Sequence, residues 1–150
     1  ESIAKTKKPI LMSTGMSSLE EIDKAVKLIR SHHDNLTLLQ CTSCYPTDDE
    51  DVNLNVIPSL RSRYDCPVGY SGHERGIAIC TSAVALGACI IERHFTTDRT
   101  LKGPDHASSI EPIGMKDIVT RSKKIFTALG NPNKIVLESE LKNRKKFRGY

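Results

Sequence analysis

The sequence has little aromatic material, with no tryptophan and only three phenylalanines among 150 residues. Proteins that bind single-stranded nucleic acid commonly stack the bases on aromatic side chains. The basic runs at residues 5–8 and 142–148, within a net charge of +4, are therefore interpreted as solvated ends of the chain. We predict no nucleic acid among the partners.

Long apolar runs are also lacking. No stretch approaches the roughly 18 apolar residues that indicate a membrane-spanning helix, and the first residues do not have the pattern of a signal peptide. The composition, 38% hydrophobic and 27% charged, is typical of a globular protein with one core. We expect a cytoplasmic protein that does not bind a membrane.

The five cysteines do not suggest a disulfide framework, because their number is odd and disulfides are rare in a reducing compartment. Cys41 and Cys44 have the spacing of zinc sites and redox helices. No second cysteine pair follows at matching spacing, so a zinc or redox site is the less favoured interpretation.

The sequence does contain a fourfold pattern of apolar strand, polar turn and helix. The apolar runs lie at residues 9–12, 36–40, 67–70 and 89–92. A capping box of Ser17 and Glu20 predicts the start of the first helix, and Pro58 confines the regular part of the second to the residues that follow it. The last two helices are predicted over residues 76–86 and from Pro112 to Leu129, ended by Gly130.

Apolar strands that alternate with helices predict an α/β fold with a parallel sheet. Four such units are half of a parallel (β/α)8 TIM-type barrel. A four-stranded piece leaves two unpaired edges, so the chain is either a fragment or a dimer that closes the sheet, and we favour a fragment. We predict a half-barrel over residues 1–130 and a linker over 131–150.

Polar side chains follow every predicted strand. Right-handed crossovers bring the carboxyl ends of parallel strands to one rim, which is where the active sites of such barrels lie. The residues expected at this rim are Ser13, Ser43, Tyr45, Ser71, His73, Glu92 and His94.

His73 and His94 end neighbouring strands and are candidate ligands of one divalent metal. Each histidine alone could instead be an ordinary hydrogen-bonding residue. Alternation along the strand directs Glu92 and His94 to the same face. Glu92 is therefore a candidate acid or base, or a partner that orients a metal ligand.

Three further residues have open interpretations. Asp105 lies in a loop long enough to fold back over the rim, but it could be a turn residue. Ser13 and Ser71 each stand beside or near a glycine at a strand end, where hydroxyls and amides suit phosphate oxygens. Ordinary turn chemistry, which is common, is the alternative interpretation of the two serines.

Seven ordered segments of the chain resemble the N-acetylneuraminate (sialic acid) synthase family. The segments are residues 8–16, 40–46, 50–54, 69–73, 85–88, 92–94 and 103–106. The fourth of them, for example, reads Gly-Tyr-Ser-Gly-His. They follow one another in the order and spacing of the family, which makes the resemblance far more specific than any single motif.

The resemblance implies that the chain supplies strands five to eight of the barrel. His73 and His94 would bind manganese, with magnesium as the alternative. Ser13 and Ser71 would hold the phosphate of phosphoenolpyruvate, and Ser43 and Tyr45 would face the sugar. Glu92 and Asp105 would be the catalytic carboxylates, with Asp105 also facing the sugar.

The implied reaction joins phosphoenolpyruvate to N-acetylmannosamine or its 6-phosphate, giving N-acetylneuraminate or its 9-phosphate. Family members are swapped homodimers with an antifreeze-like domain after the barrel. Their phosphate-binding lysines on the early strands have no counterpart in this chain, so the chain alone is expected to be inactive. The alternatives are a legionaminate or pseudaminate synthase and a non-catalytic half-barrel that only binds a ligand or partner.

Overall fold

A computed structural model describes residues 1–150 as a parallel four-stranded sheet with helices packed on it. The strands lie in chain order, so each pairs with the next. Their bounds are β1 Ile10–Ser13, β2 Leu36–Cys41, β3 Val68–Gly72 and β4 Ile91–Arg93. The helices are α1 Ser2–Lys5, α2 Leu19–Arg30, α3 Val56–Tyr64, α4 Ala78–Ala85, α5 Pro112–Leu129 and α6 Glu138–Arg148. The predicted half-barrel of four β/α units is confirmed.

The core lies between the sheet and the helices. Alternate strand residues face it, among them Leu38, Val68 and Tyr70, each at most 2% exposed. Residues on the other face include the exposed Leu11 and Ser13. The outer edges of β1 and β4 have no partner strand.

The predicted capping box at Ser17 and Glu20 is wrong by one residue. Ser18 is the N-cap of α2: its hydroxyl accepts a hydrogen bond from the Glu21 amide, and the Glu21 carboxylate accepts one from the Ser18 amide. Ser17 instead closes the turn after β1, where its hydroxyl donates to the carbonyl of Gly15. The preceding turn therefore decides which serine starts the helix.

The prediction that α3 becomes regular only after Pro58 is also wrong. The helix begins at Val56, two residues earlier. Pro58 is tolerated because the first amides of a helix have no intrahelical acceptor.

The last two helices differ in packing. α5 opens with Pro112 and ends before Gly130, as predicted. The segment predicted as a linker contains the charged helix α6, in which only Arg144 is even partly buried. No helix combines the length and apolar character needed to cross a membrane.

Candidate active site

The carboxyl ends of the four strands form one rim, because the strands are parallel and adjacent. Ser13 ends β1, Ser71 lies in β3, and Glu92 lies in β4. Four other predicted residues follow strand ends in the loops: Ser43, Tyr45, His73 and His94.

Three of these side chains meet as a ring cluster of Tyr45, His73 and His94. The two imidazole centroids are 5.2 Å apart. The Tyr45 ring lies 4.4 Å from the His73 ring and 5.5 Å from the His94 ring. The structure thus brings together two predicted metal ligands and one predicted sugar contact.

His73 is held in one orientation by the loop after β2. Its Nδ1 lies 2.9 Å from the carbonyl oxygen of Thr42, and its own carbonyl accepts from the Thr47 amide. A carbonyl oxygen can only accept, so Nδ1 carries a proton, and in the neutral ring Nε2 then keeps its lone pair. This arrangement, with the second ring nitrogen fixed by a backbone carbonyl, is usual for metal-binding histidines.

His94 lies beside the loop that carries Asp105. The Asp105 Oδ2 is 3.9 Å from His94 Nδ1, which is beyond hydrogen-bond distance but within reach of an ion pair. The loop returns because the Ile110 amide donates to the carbonyl of His94 and the Thr96 amide donates to the carbonyl of Ile110. The fold-back proposed from the loop's length is present.

Ser71 and Glu92 form a second pair at the rim. They are register partners on β3 and β4, and the Ser71 hydroxyl donates to Glu92 Oε1 at 2.7 Å. Ser71 is buried while Glu92 is exposed. The carboxylate is therefore oriented by a fixed donor yet open to a reactant.

Ser43 and Ser13 lie outside these clusters. Ser43 lines a groove of about 720 Å³ between α2 and α3, and a Cβ at Gly15 would come 2.2 Å from its Oγ. The Ser13 hydroxyl is exposed and makes no hydrogen bond. Neither serine makes a hydrogen bond to a histidine, although Ser43 directly follows Thr42, whose carbonyl contacts His73.

The sequence did not predict a buried ionic network behind the rim. Arg93 pairs with Glu74, and their side chains are 1% and 0% exposed. The Tyr70 hydroxyl donates to Glu74 Oε2 at 2.8 Å. Burial and the charge of Glu74 raise the pKa of Tyr70. The sequence feature that could have indicated this network is a charged residue of opposite sign beside each histidine: Glu74 follows His73, and Arg93 precedes His94.

The donors at the ring cluster fit a divalent metal with two imidazole ligands. The protonated Nδ1 of His73 leaves its Nε2 free, as coordination requires. No group of three or more His, Cys, Asp or Glu side chains in the chain could hold a metal. A metal bound by His73 and His94 would therefore take its other ligands from outside the His, Cys, Asp and Glu side chains of this chain.

Comparisons with known proteins agree with this architecture. A sequence model of the NeuB family matches residues 1–134. The chain is 43% identical to N-acetylneuraminate-9-phosphate synthase of Homo sapiens, over 98% of the chain and 41% of that protein. It is 45% identical to N,N'-diacetyllegionaminic acid synthase of Campylobacter jejuni, over 94% of the chain and 43% of that protein.

A solved structure has the same fold. The N-acetylneuraminic acid synthetase of Leptospira borgpetersenii superposes with a TM-score of 0.88 at 38% identity, covering 99% of this chain and 53% of that one. The chain thus spans roughly two fifths of the length of the curated relatives above. These matches confirm the resemblance seen in the seven segments: the chain belongs to the NeuB family of sialic acid and related nonulosonate synthases.

Proposed function

We propose that this chain provides the metal-binding side of the active site of a synthase that condenses phosphoenolpyruvate with N-acetylmannosamine or its 6-phosphate. The product is N-acetylneuraminate or its 9-phosphate, together with inorganic phosphate. The observation that carries the proposal is the meeting of Tyr45, His73 and His94 at the rim, with Asp105 beside them.

His73 and His94 hold the divalent metal, manganese or magnesium, through their imidazole nitrogens. When bound, the metal supplies Lewis-acid polarisation of the open-chain aldehyde of the sugar. The Thr42 carbonyl keeps His73 in the tautomer that coordination needs. Tyr45 contacts both rings with a half-exposed side chain, and we assign it the contact with the sugar.

The reaction forms one carbon–carbon bond and replaces the carbon–oxygen bond to phosphate with a carbon–oxygen bond to the oxygen of water. The terminal carbon of phosphoenolpyruvate attacks the aldehyde, whose oxygen gains a proton. Water adds at the neighbouring carbon, where its oxygen becomes the keto oxygen of the product; one of its protons balances the proton gained by the aldehyde oxygen, and the other leaves with the phosphate, which departs with the bridging oxygen. Glu92, oriented by Ser71, is placed to exchange one of these protons, and Asp105 the other. Ser13 and Ser71 are the phosphate contacts, and the Ser71 hydroxyl, which donates to Glu92 in the free protein, donates to the phosphate when phosphoenolpyruvate is bound.

A legionaminate-type synthase is the second candidate, because the identity to the Campylobacter legionaminic acid synthase equals that to the human enzyme within two percentage points. The two reactions share phosphoenolpyruvate and differ in the acceptor sugar. Turnover of free N-acetylmannosamine, its 6-phosphate and the acceptor sugar that leads to N,N'-diacetyllegionaminic acid separates them.

The test of the proposal is calorimetric titration with manganese of a protein that contains this chain at the full length of its NeuB family relatives, here called the natural-length protein. We expect one site, lost in both His73→Ala and His94→Ala. His32→Ala is the matched control, because His32 follows α2 at the opposite end of the strands. Binding that survives both rim substitutions would refute the metal assignment.

A further inference from the structure

The Glu74–Arg93 pair is the most enclosed ionic contact in the chain. Arg93 Nη1 pairs with Glu74 Oε1, and Nη2 donates to the Glu74 carbonyl. Nη1 also reaches the Gly76 carbonyl at 3.3 Å. With the Tyr70 hydroxyl on Oε2, the carboxylate is satisfied on both oxygens. We call Tyr70, Glu74 and Arg93 the buried triad.

The buried triad lies directly behind the candidate metal ligands. Glu74 follows His73, and Arg93 precedes His94. The ladder between β3 and β4 ends with Gly72 opposite Arg93, so both histidines lie just beyond the last paired residues. At that point the Glu74–Arg93 ion pair joins the two strand ends, beside the contact between the two histidine rings.

Stability alone is a weak reason for such a pair, because apolar side chains of similar volume often stabilise a protein as well or better. The triad is also closely fitted. A Cβ at Gly72 would come 2.6 Å from both Glu74 Oε2 and the Tyr70 ring. A directional contact in a tightly filled space fixes geometry, which an apolar replacement does not.

We propose that the buried triad is a positioning device that sets the separation of the His73 and His94 rings and thereby the metal affinity of the rim. This inference rests on the proposed metal role of the two histidines. None of the three side chains touches the reactants; they act through the backbone of the two strand ends.

The test replaces the ion pair with apolar side chains in a Glu74→Leu/Arg93→Met double variant of the natural-length protein. Loss of a residue that orients metal ligands typically weakens metal binding about 10–100-fold. We expect manganese affinity to fall within that range while circular dichroism shows a folded protein. The electron paramagnetic resonance spectrum of the bound manganese should change as well, a signature that a purely structural role would not move.

Arg93→Lys is the second variant, because it keeps the charge but loses the fork that reaches three acceptors. It should weaken manganese binding in a folded protein even if the double variant does not fold. Arg63→Met is the control: Arg63 pairs with Asp23 on the surface, and its loss should leave metal affinity unchanged.

The outcomes separate the two proposals. If His73→Ala and His94→Ala bind manganese as tightly as the wild-type protein does, the proposed metal site is overturned, and the positioning role with it. Binding that depends on both histidines but is unchanged in Arg93→Lys and in the folded double variant would overturn the positioning role alone.

Discussion

At the scale of single residues, Glu92 is the side chain whose chemistry can be separated from metal binding. Its carboxylate accepts from Ser71 and makes no hydrogen bond or ion pair with either histidine. Glu92→Gln should therefore lower kcat about 10²–10⁴-fold, the usual contribution of an acid or base, while manganese affinity is retained. Steady-state kinetics and calorimetry on the natural-length protein measure both.

Glu138→Gln is the control for this change, because Glu138 begins the exposed helix α6. If Glu92→Gln keeps the wild-type kcat, the Glu92 carboxylate is not an acid or base of the reaction. A parallel loss of metal affinity would instead show that Glu92 acts through the metal site.

The sequence predicted which polar residues lie at the rim better than it predicted which charged side chains are buried. The histidines at neighbouring strand ends were predicted to meet, because parallel strands share a rim, and the structure places their rings together. Glu74 and Arg93 were not assigned to the core, since a charged residue is buried only where a partner in the fold accepts it. That partner lies 19 residues away along the chain.

At the scale of elements, α2 and α3 are joined by a surface cluster centred on Asp23. Arg63 Nε and the Tyr64 hydroxyl donate to Asp23 Oδ1 at 3.0 and 2.7 Å. The hydrogen bond from Arg63, and then that from Tyr64, hold the pKa of Asp23 below its ordinary value of 3.8. A carboxyl with a lowered pKa in the folded state stabilises the fold above its unfolded pKa and stops doing so as it is protonated.

Asp23→Asn should accordingly lower the thermal unfolding midpoint at neutral pH. The difference from wild type should shrink as the pH falls below 3.8, the ordinary pKa of the group. Circular dichroism melts across that range measure it. Asp34→Asn is the control, because Asp34 is 89% exposed and lies 3.9 Å from its partner Arg30. A difference that is constant with pH would mean that Asp23 acts through packing alone.

Element boundaries were less predictable than element types. All four strands and the four helices between and after them lie where the apolar pattern indicates. The N-cap of α2 differs from the predicted one by one residue, because a turn hydrogen bond of Ser17 decides which serine caps the helix. The start of α3 lies two residues before the predicted one, because the first turn of a helix tolerates proline. Helix α6 was missed because it lacks a buried face, the periodic signal on which the other predictions depended.

At the scale of the whole molecule, the half-barrel exposes surfaces that parallel sheets normally cover. The outer edges of β1 and β4 are unpaired. Beside β4 lies a mostly apolar groove of about 550 Å³, lined by residues that include Ile91, Met115 and Phe126. Unpaired strand edges promote association with other chains, and exposed apolar patches do the same.

We therefore expect residues 1–150 expressed alone to self-associate and to lack condensation activity. Light scattering and phosphate release with phosphoenolpyruvate and N-acetylmannosamine measure the two properties. Co-expression with a polypeptide that supplies the first four β/α units of a NeuB family barrel should cover both edges, suppress self-association and restore phosphate release. The same polypeptide with Pro substitutions in its two edge strands is the control, because proline removes the amides that pair with β1 and β4. A monomeric isolated chain with full turnover would contradict the expectation and show that the four β/α units form a complete active site.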